Sequence, residues 1–115
     1  MEQSILTDIK KMLGIMPDQS MFDAVLLIHI NSGISQLSLL GLVPEASFLV
    51  TNETTWLTLS TDLTLLSFVR PYLYSKVKII FDPPMSAAHV ESLKESIKEF
   101  EYKINLHIES EVSET

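Results

Sequence analysis

The tripeptide Asp82-Pro83-Pro84 constrains this chain more than any other feature. Two successive prolines permit neither a continuous helix nor a central strand, because each lacks an N–H donor and fixes φ near −65°. On both sides of this break, apolar residues recur at intervals of three and four. Before it, behind a cap at Ser60 or Asp62, stand Leu63, Leu66, Val69 or Arg70, Leu73, Val77 and Ile80. After it, behind a cap at Ser86, stand Val90, Leu93, Ile97, Phe100 and Ile104. Such spacing places one apolar stripe on a helix. The break therefore reads as a turn that packs the last helix back on the one before it, in preference to a binding element. Pro71 lies inside the earlier helix, where proline costs about 3 kcal/mol, so a kink or boundary is expected near Arg70.

Two more helices are expected upstream. Ser4 can cap one with Ile5, Ile9, Met12 and Leu13 on its apolar side and Gly14 as its left-handed stop. Asp18 is expected to cap a second, from about Gln19 to Leu40, closed by Gly41 and Pro44. Its apolar positions include Phe22, Val25, Leu26, Ile30, Ile34, Leu37 and Leu40, and Gly33 is a weak point of about 1 kcal/mol. Residues 41–59 are less decided. Phe48-Leu49-Val50 and Trp56-Leu57-Thr58-Leu59 have strand-like composition around Asn52, which allows a short hairpin, or a loop with one helical turn near Trp56. The last helix is expected to reach about Asn105, with Glu91/Lys94, Glu95/Lys98 and Glu99/Lys103 supporting its wet face. The fold class is all-α: a small bundle of about four helices, two of them long, with a short β-hairpin or loop between helices two and three. Residues 1–108 form a single helical domain, and 109–115 an acidic, flexible tail.

Composition narrows the function classes. The 115 residues include no cysteine, which removes disulfides, thiolate metal sites and cysteine nucleophiles. Fifteen acids against eight bases give a net charge of −7, unsuited to holding a phosphate backbone tightly. The stretch 18–59 carries Asp18, Asp23, Glu45 and Glu53 and no base at all. Charged residues make up 20%, below the usual ~25%, and mean hydropathy is +0.25, so part of the surface is expected to meet a partner. No basic leader precedes an apolar stretch, and the run Ala24 to Ile30 is far below the ~20 residues of a membrane span. No membrane association and a cytosolic site of synthesis are expected.

Sites for chemistry are not evident. His29 lies in an apolar run, His89 in the first turn of the last helix and His107 near the C-terminal end; none pairs convincingly at metal-ligand spacing. No metal and no cofactor is expected, and His29 reads as a packing residue. There is no Gly-x-Ser-x-Gly elbow, and Gly14, Gly33 and Gly41 are too scattered for a phosphate loop. Glu99/Glu101 and Asp18/Asp23 read as solvated charges. Arg70, Lys76 and Lys78 surround Tyr72 and Tyr74, a pattern that can bind single strands, but the acidic chain favours lysines placed for a helix C-terminus. An enzyme is not expected.

Longer strings carry a resemblance. These are Phe22-Asp23, His29-Ile30-Asn31-Ser32, Leu40-Gly41-Leu42-Val43-Pro44, Trp56, and the run from Tyr72-Leu73-Tyr74-Ser75-Lys76-Val77-Lys78 through Phe81-Asp82-Pro83-Pro84, followed by Ile97 to Asn105. Together they are similar to the small head–tail connector (adaptor) proteins of tailed bacteriophages, over nearly the whole chain. The resemblance implies a non-enzymatic helical subunit of a homo-oligomeric ring, commonly a dodecamer in the virion and a monomer when free. It implies portal protein above, a stopper or tail-completion protein below, and DNA passing through without sequence-specific binding. The implied location is the head–tail interface, after assembly in the host cytoplasm. On this reading the candidate interface residues are Tyr72, Tyr74, Lys76, Lys78, Phe81 and Trp56. Glu45 and Glu53 are the candidate channel-facing acids, since an acidic wall lets DNA slide. The alternative is a small acidic helical adaptor or regulator that binds a protein partner through an amphipathic face.

Overall fold

A computed structural model describes residues 3–42 and 48–113. Five helices follow one another: α1 (Ile5–Leu13), α2 (Asp23–Leu39), α3 (Trp56–Leu59), α4 (Leu63–Phe81) and α5 (Ala87–Ser113). The class is all-α, with one helix more than expected because Trp56–Leu59 closes a single helical turn. No strand forms among the described residues. The extended segment 48–55 is instead held by two substitutes for a partner strand. Asn31 on α2 accepts the Val50 N–H at 2.8 Å and donates to the Val50 carbonyl at 3.0 Å. The Ile5 N–H then donates to the Thr54 carbonyl at 2.8 Å, beside an isolated bridge between Ser4 and Thr55. One side-chain amide thus satisfies both backbone groups that a ladder would have paired.

Three boundaries follow the expected chemistry. Ser4 caps α1 by accepting from the Thr7 N–H, and Gly14 ends it at φ 82°. Asp62 caps α4 through Oδ1, which accepts from the Leu65 N–H at 3.1 Å. Ser86 stands before α5, and its carbonyl takes the first helical bond from Val90.

Three boundaries differ. Helix α2 begins at Asp23 and not at Gln19, because the buried Lys10 ammonium donates to the carbonyls of Pro17 and Gln19 at 3.2 and 2.6 Å. Those carbonyls are turned toward the lysine, which also pairs with Asp23 at 2.9 Å. Helix α4 runs unbroken from Leu63 to Phe81 with Pro71 inside it, so Pro71 is not a boundary. Packing of Leu66, Val69, Tyr72 and Leu73, all with 0% exposure, outweighs one lost hydrogen bond. Helix α5 continues past Asn105 to Ser113, so residues 109–113 are helical.

Helices α4 and α5 pack as the hairpin that Asp82-Pro83-Pro84 demands, with α2 and α1 against the other side of α4. The core gathers Ile5 and Ile9 of α1, Leu26, Ile30 and Leu37 of α2, Trp56, and Leu66, Leu73 and Val77 of α4, with Ile104 added from α5. Gly33 has a physical role. A Cβ there would lie 2.6 Å from Leu73 Cδ2, so α2 and α4 cross closely at this point.

Candidate functional site

Besides the Lys10–Asp23 pair, the interior holds a charged cluster around Asp8. Asp8 of α1 is buried, and its Oδ2 accepts from Trp56 Nε1 at 2.8 Å and from Arg70 Nε at 2.9 Å, with Arg70 Nη2 also at 2.8 Å. The guanidinium lies 5.8 Å from the Trp56 ring centre, within range of a cation–π contact. A single carboxylate oxygen thereby joins α1, α3 and α4. Gln3, Asp8, Trp56 and Arg70 line a small cleft of about 140 Å³ beside it. Asp8, Trp56 and Arg70 satisfy one another, which is the arrangement of a structural tie.

The aromatic–basic segment of α4 divides between interior and surface. Tyr72 is fully buried and donates to Glu101 Oε2 at 3.0 Å; burial, and then the Glu101 charge, push its phenol pKa well up. Trp56 is also buried, at 1% exposure. These two candidate interface residues are therefore buried in the core of the chain. Both carry large rings, which is what the core selects first. Tyr74, Lys76, Lys78 and Phe81 remain half-buried. Lys76 lies 6.0 Å from the Tyr72 ring, and Phe81 packs edge-on against Phe22 at 5.2 Å. Lys78 pairs with Asp82 at 2.8 Å, a hydrogen bond that raises its pKa. Glu53 is exposed, whereas Glu45 lies outside the described residues.

A second charged group forms where α5 passes beneath the start of α4. His107 Nε2 donates to Asp62 Oδ2 at 2.8 Å and stands 3.4 Å from Glu111 Oε1. The His107 hydrogen bond, aided by the Leu65 N–H, draws the Asp62 pKa from 3.8 down to about 2. The same bond raises that of His107. So His107 does have a partner, contrary to expectation. His107 and Glu111 are four apart on one helix face, a spacing present in the sequence but hidden by placing the helix end near Asn105.

The surface shows a third feature. Helix α2 is apolar on two sides. Leu26, Ile30, Gly33 and Leu37 point into the core, while Val25, Ile28, Ser32, Ser35 and Leu39 form an exposed stripe at alternating spacings of three and four. Ile28 is 66% exposed and Leu39 82%. Next to Ile28, an open cleft of about 540 Å³ is lined by Leu27, Asn31, Leu49 and Val50 among others. Val25, Ile28 and Leu39 are part of the exposed apolar content anticipated from composition, with Ser32 and Ser35 between them at the same 3–4 helical spacing.

The bundle thus pairs Asp8 with Arg70 and Lys10 with Asp23 in its interior and leaves apolar side chains of α2 exposed. No helix among the described residues is long and apolar enough to cross a membrane. The family model described as phage connector protein matches residues 5–111, and the chain belongs to that family of structural phage proteins. Among curated proteins and solved structures no match is found.

Proposed function

We propose that the chain is the repeating subunit of a ring that joins the portal of the phage head to the stopper or tail and extends the DNA channel after packaging. The exposed stripe of α2 carries this reading. A closed ring needs two different patches on each subunit, so a surplus apolar face on an otherwise complete bundle is the expected signature. Family membership supplies the virion setting. Twelve copies in the virion and a monomer in free solution fit a ring that closes on a portal template. The base-free stretch 18–59, with Glu53 exposed and Glu45 eight residues earlier in the sequence, contributes an acidic wall that DNA passes without sticking.

Electron microscopy of purified chain mixed with portal tests the assembly. Rings capping the portal are expected, and Ile28→Asp is expected to abolish them while leaving the far-ultraviolet circular dichroism unchanged. Failure of the wild type to bind portal, or unimpaired rings from Ile28→Asp, defeats the proposal. For the channel, Glu45→Lys with Glu53→Lys should lower phage titre without loss of rings; an unchanged titre removes the acidic-wall role.

A further inference from the structure

We infer that Asp62, His107 and Glu111 form a binding site for a divalent transition metal of the zinc class, clipping the start of α4 to the last turns of α5. One ligand atom from each residue lies within 4.8 Å of the other two. Both carboxylates converge on the same ring nitrogen, Nε2, at 2.8 and 3.4 Å. A cation at the centre of the three serves all. Around a four-coordinate zinc with bonds near 2.0–2.1 Å, neighbouring ligand atoms stand about 3.3 Å apart, close to the 2.8 and 3.4 Å that separate the two carboxylates from His107 Nε2.

The surroundings fit that occupant. Asp62 is fixed in place because its Oδ1 accepts from the Leu65 N–H, which leaves Oδ2 turned toward His107. His107 and Glu111 share a helix face at i and i+4, the spacing at which two helical ligands meet one ion. With neutral imidazole the three groups sum to −2, which a divalent ion balances. The one lysine nearby, Lys103 on the preceding turn of α5, is held by Glu99 at 3.4 Å. Phe68 closes one flank, edge-on to the imidazole at 6.2 Å, while the Glu111 side chain is 59% exposed and leaves a side open for water to complete the coordination. One imidazole with two carboxylates favours zinc, cobalt or nickel over magnesium and calcium, which take oxygen ligands. Metal binding to this site crosslinks residues 45 apart in sequence without using the α2 stripe.

The test uses the full chain, stripped with chelator and titrated with zinc by calorimetry, with cobalt absorption as a second probe. One equivalent of zinc should bind and raise the melting temperature as its concentration increases. Glu111→Gln, at an exposed position, should weaken binding by about an order of magnitude through loss of one of three protein ligands. His107→Gln should abolish the cobalt bands. His29→Gln with His89→Gln should change neither. Absence of saturable zinc binding by the wild type overturns the inference. So does an unaltered affinity in Glu111→Gln, or binding that survives His107→Gln.

Discussion

Asp8 and Asp62 are each the hub of a charged cluster, and they differ in what surrounds them. Asp8 is buried and spends one oxygen on two partners from distant elements, Trp56 and Arg70. Asp62 stands at the edge of the bundle, splits its two oxygens between the α4 cap and His107, and keeps contact with water. A buried carboxylate that loses its partners strands them without solvent, whereas one at the rim can be replaced by water or an ion. The first is therefore a fixed strut and the second an adjustable joint.

Three measurements test that contrast. The largest effect is expected from Asp8→Ala, which leaves the Trp56 N–H and the Arg70 guanidinium unpaired. Because the Arg70 side chain is 40% exposed, the loss should fall below that of a fully buried pair, at about 2–3 kcal/mol in urea unfolding. A loss below that of Asp62→Ala would erase the distinction. Asp62→Ala should cost about 1–2 kcal/mol, made of a lost helix cap and a weak surface pair.

The smallest effect is a pH dependence, read in chelator as the stability difference between wild type and Asp62→Ala. Asp62 titrates near 2 in the folded chain against 3.8 ordinarily, so its contribution is full above 3.8 and fades as pH falls toward 2. His107 is raised above 6.5, so its contribution is full below 6.5 and fades as pH rises past its folded value. The difference should thus be greatest between about pH 4 and 6.5, and a flat profile would show that the pair adds nothing beyond the cap.

Much of the bundle was legible because local chemistry and packing agree there. Ser4, Gly14, Asp62 and the Pro83-Pro84 turn act through neighbouring backbone, which a sequence displays directly. The misplaced start of α2 had a non-local cause. Lys10, thirteen residues before Asp23, captures two carbonyls that the helix would otherwise have turned. Pro71 was overruled by the depth at which α4 is buried, and the Asn31 clamp on Val50 joins positions nineteen apart. Of the sites, the aromatic–basic segment was found but not its division, since sequence does not say which of Tyr72 and Tyr74 faces inward. The His107 cluster escaped because its third member lies on another helix. The exposed stripe of α2 was foreshadowed only as a surplus of apolar residues.

The close crossing at Gly33 has a consequence for inheritance between neighbours. A side chain there must displace the tip of Leu73 or the helix itself, and where the helix gives way the outer stripe moves with it. In the ring proposed above, an interior position would thereby set the angle at which the stripe is presented. In a closed assembly such an angular error is repeated at every joint. Tolerance at Gly33 is therefore governed by the sum around the circle, and a change the single bundle survives can still prevent it from closing.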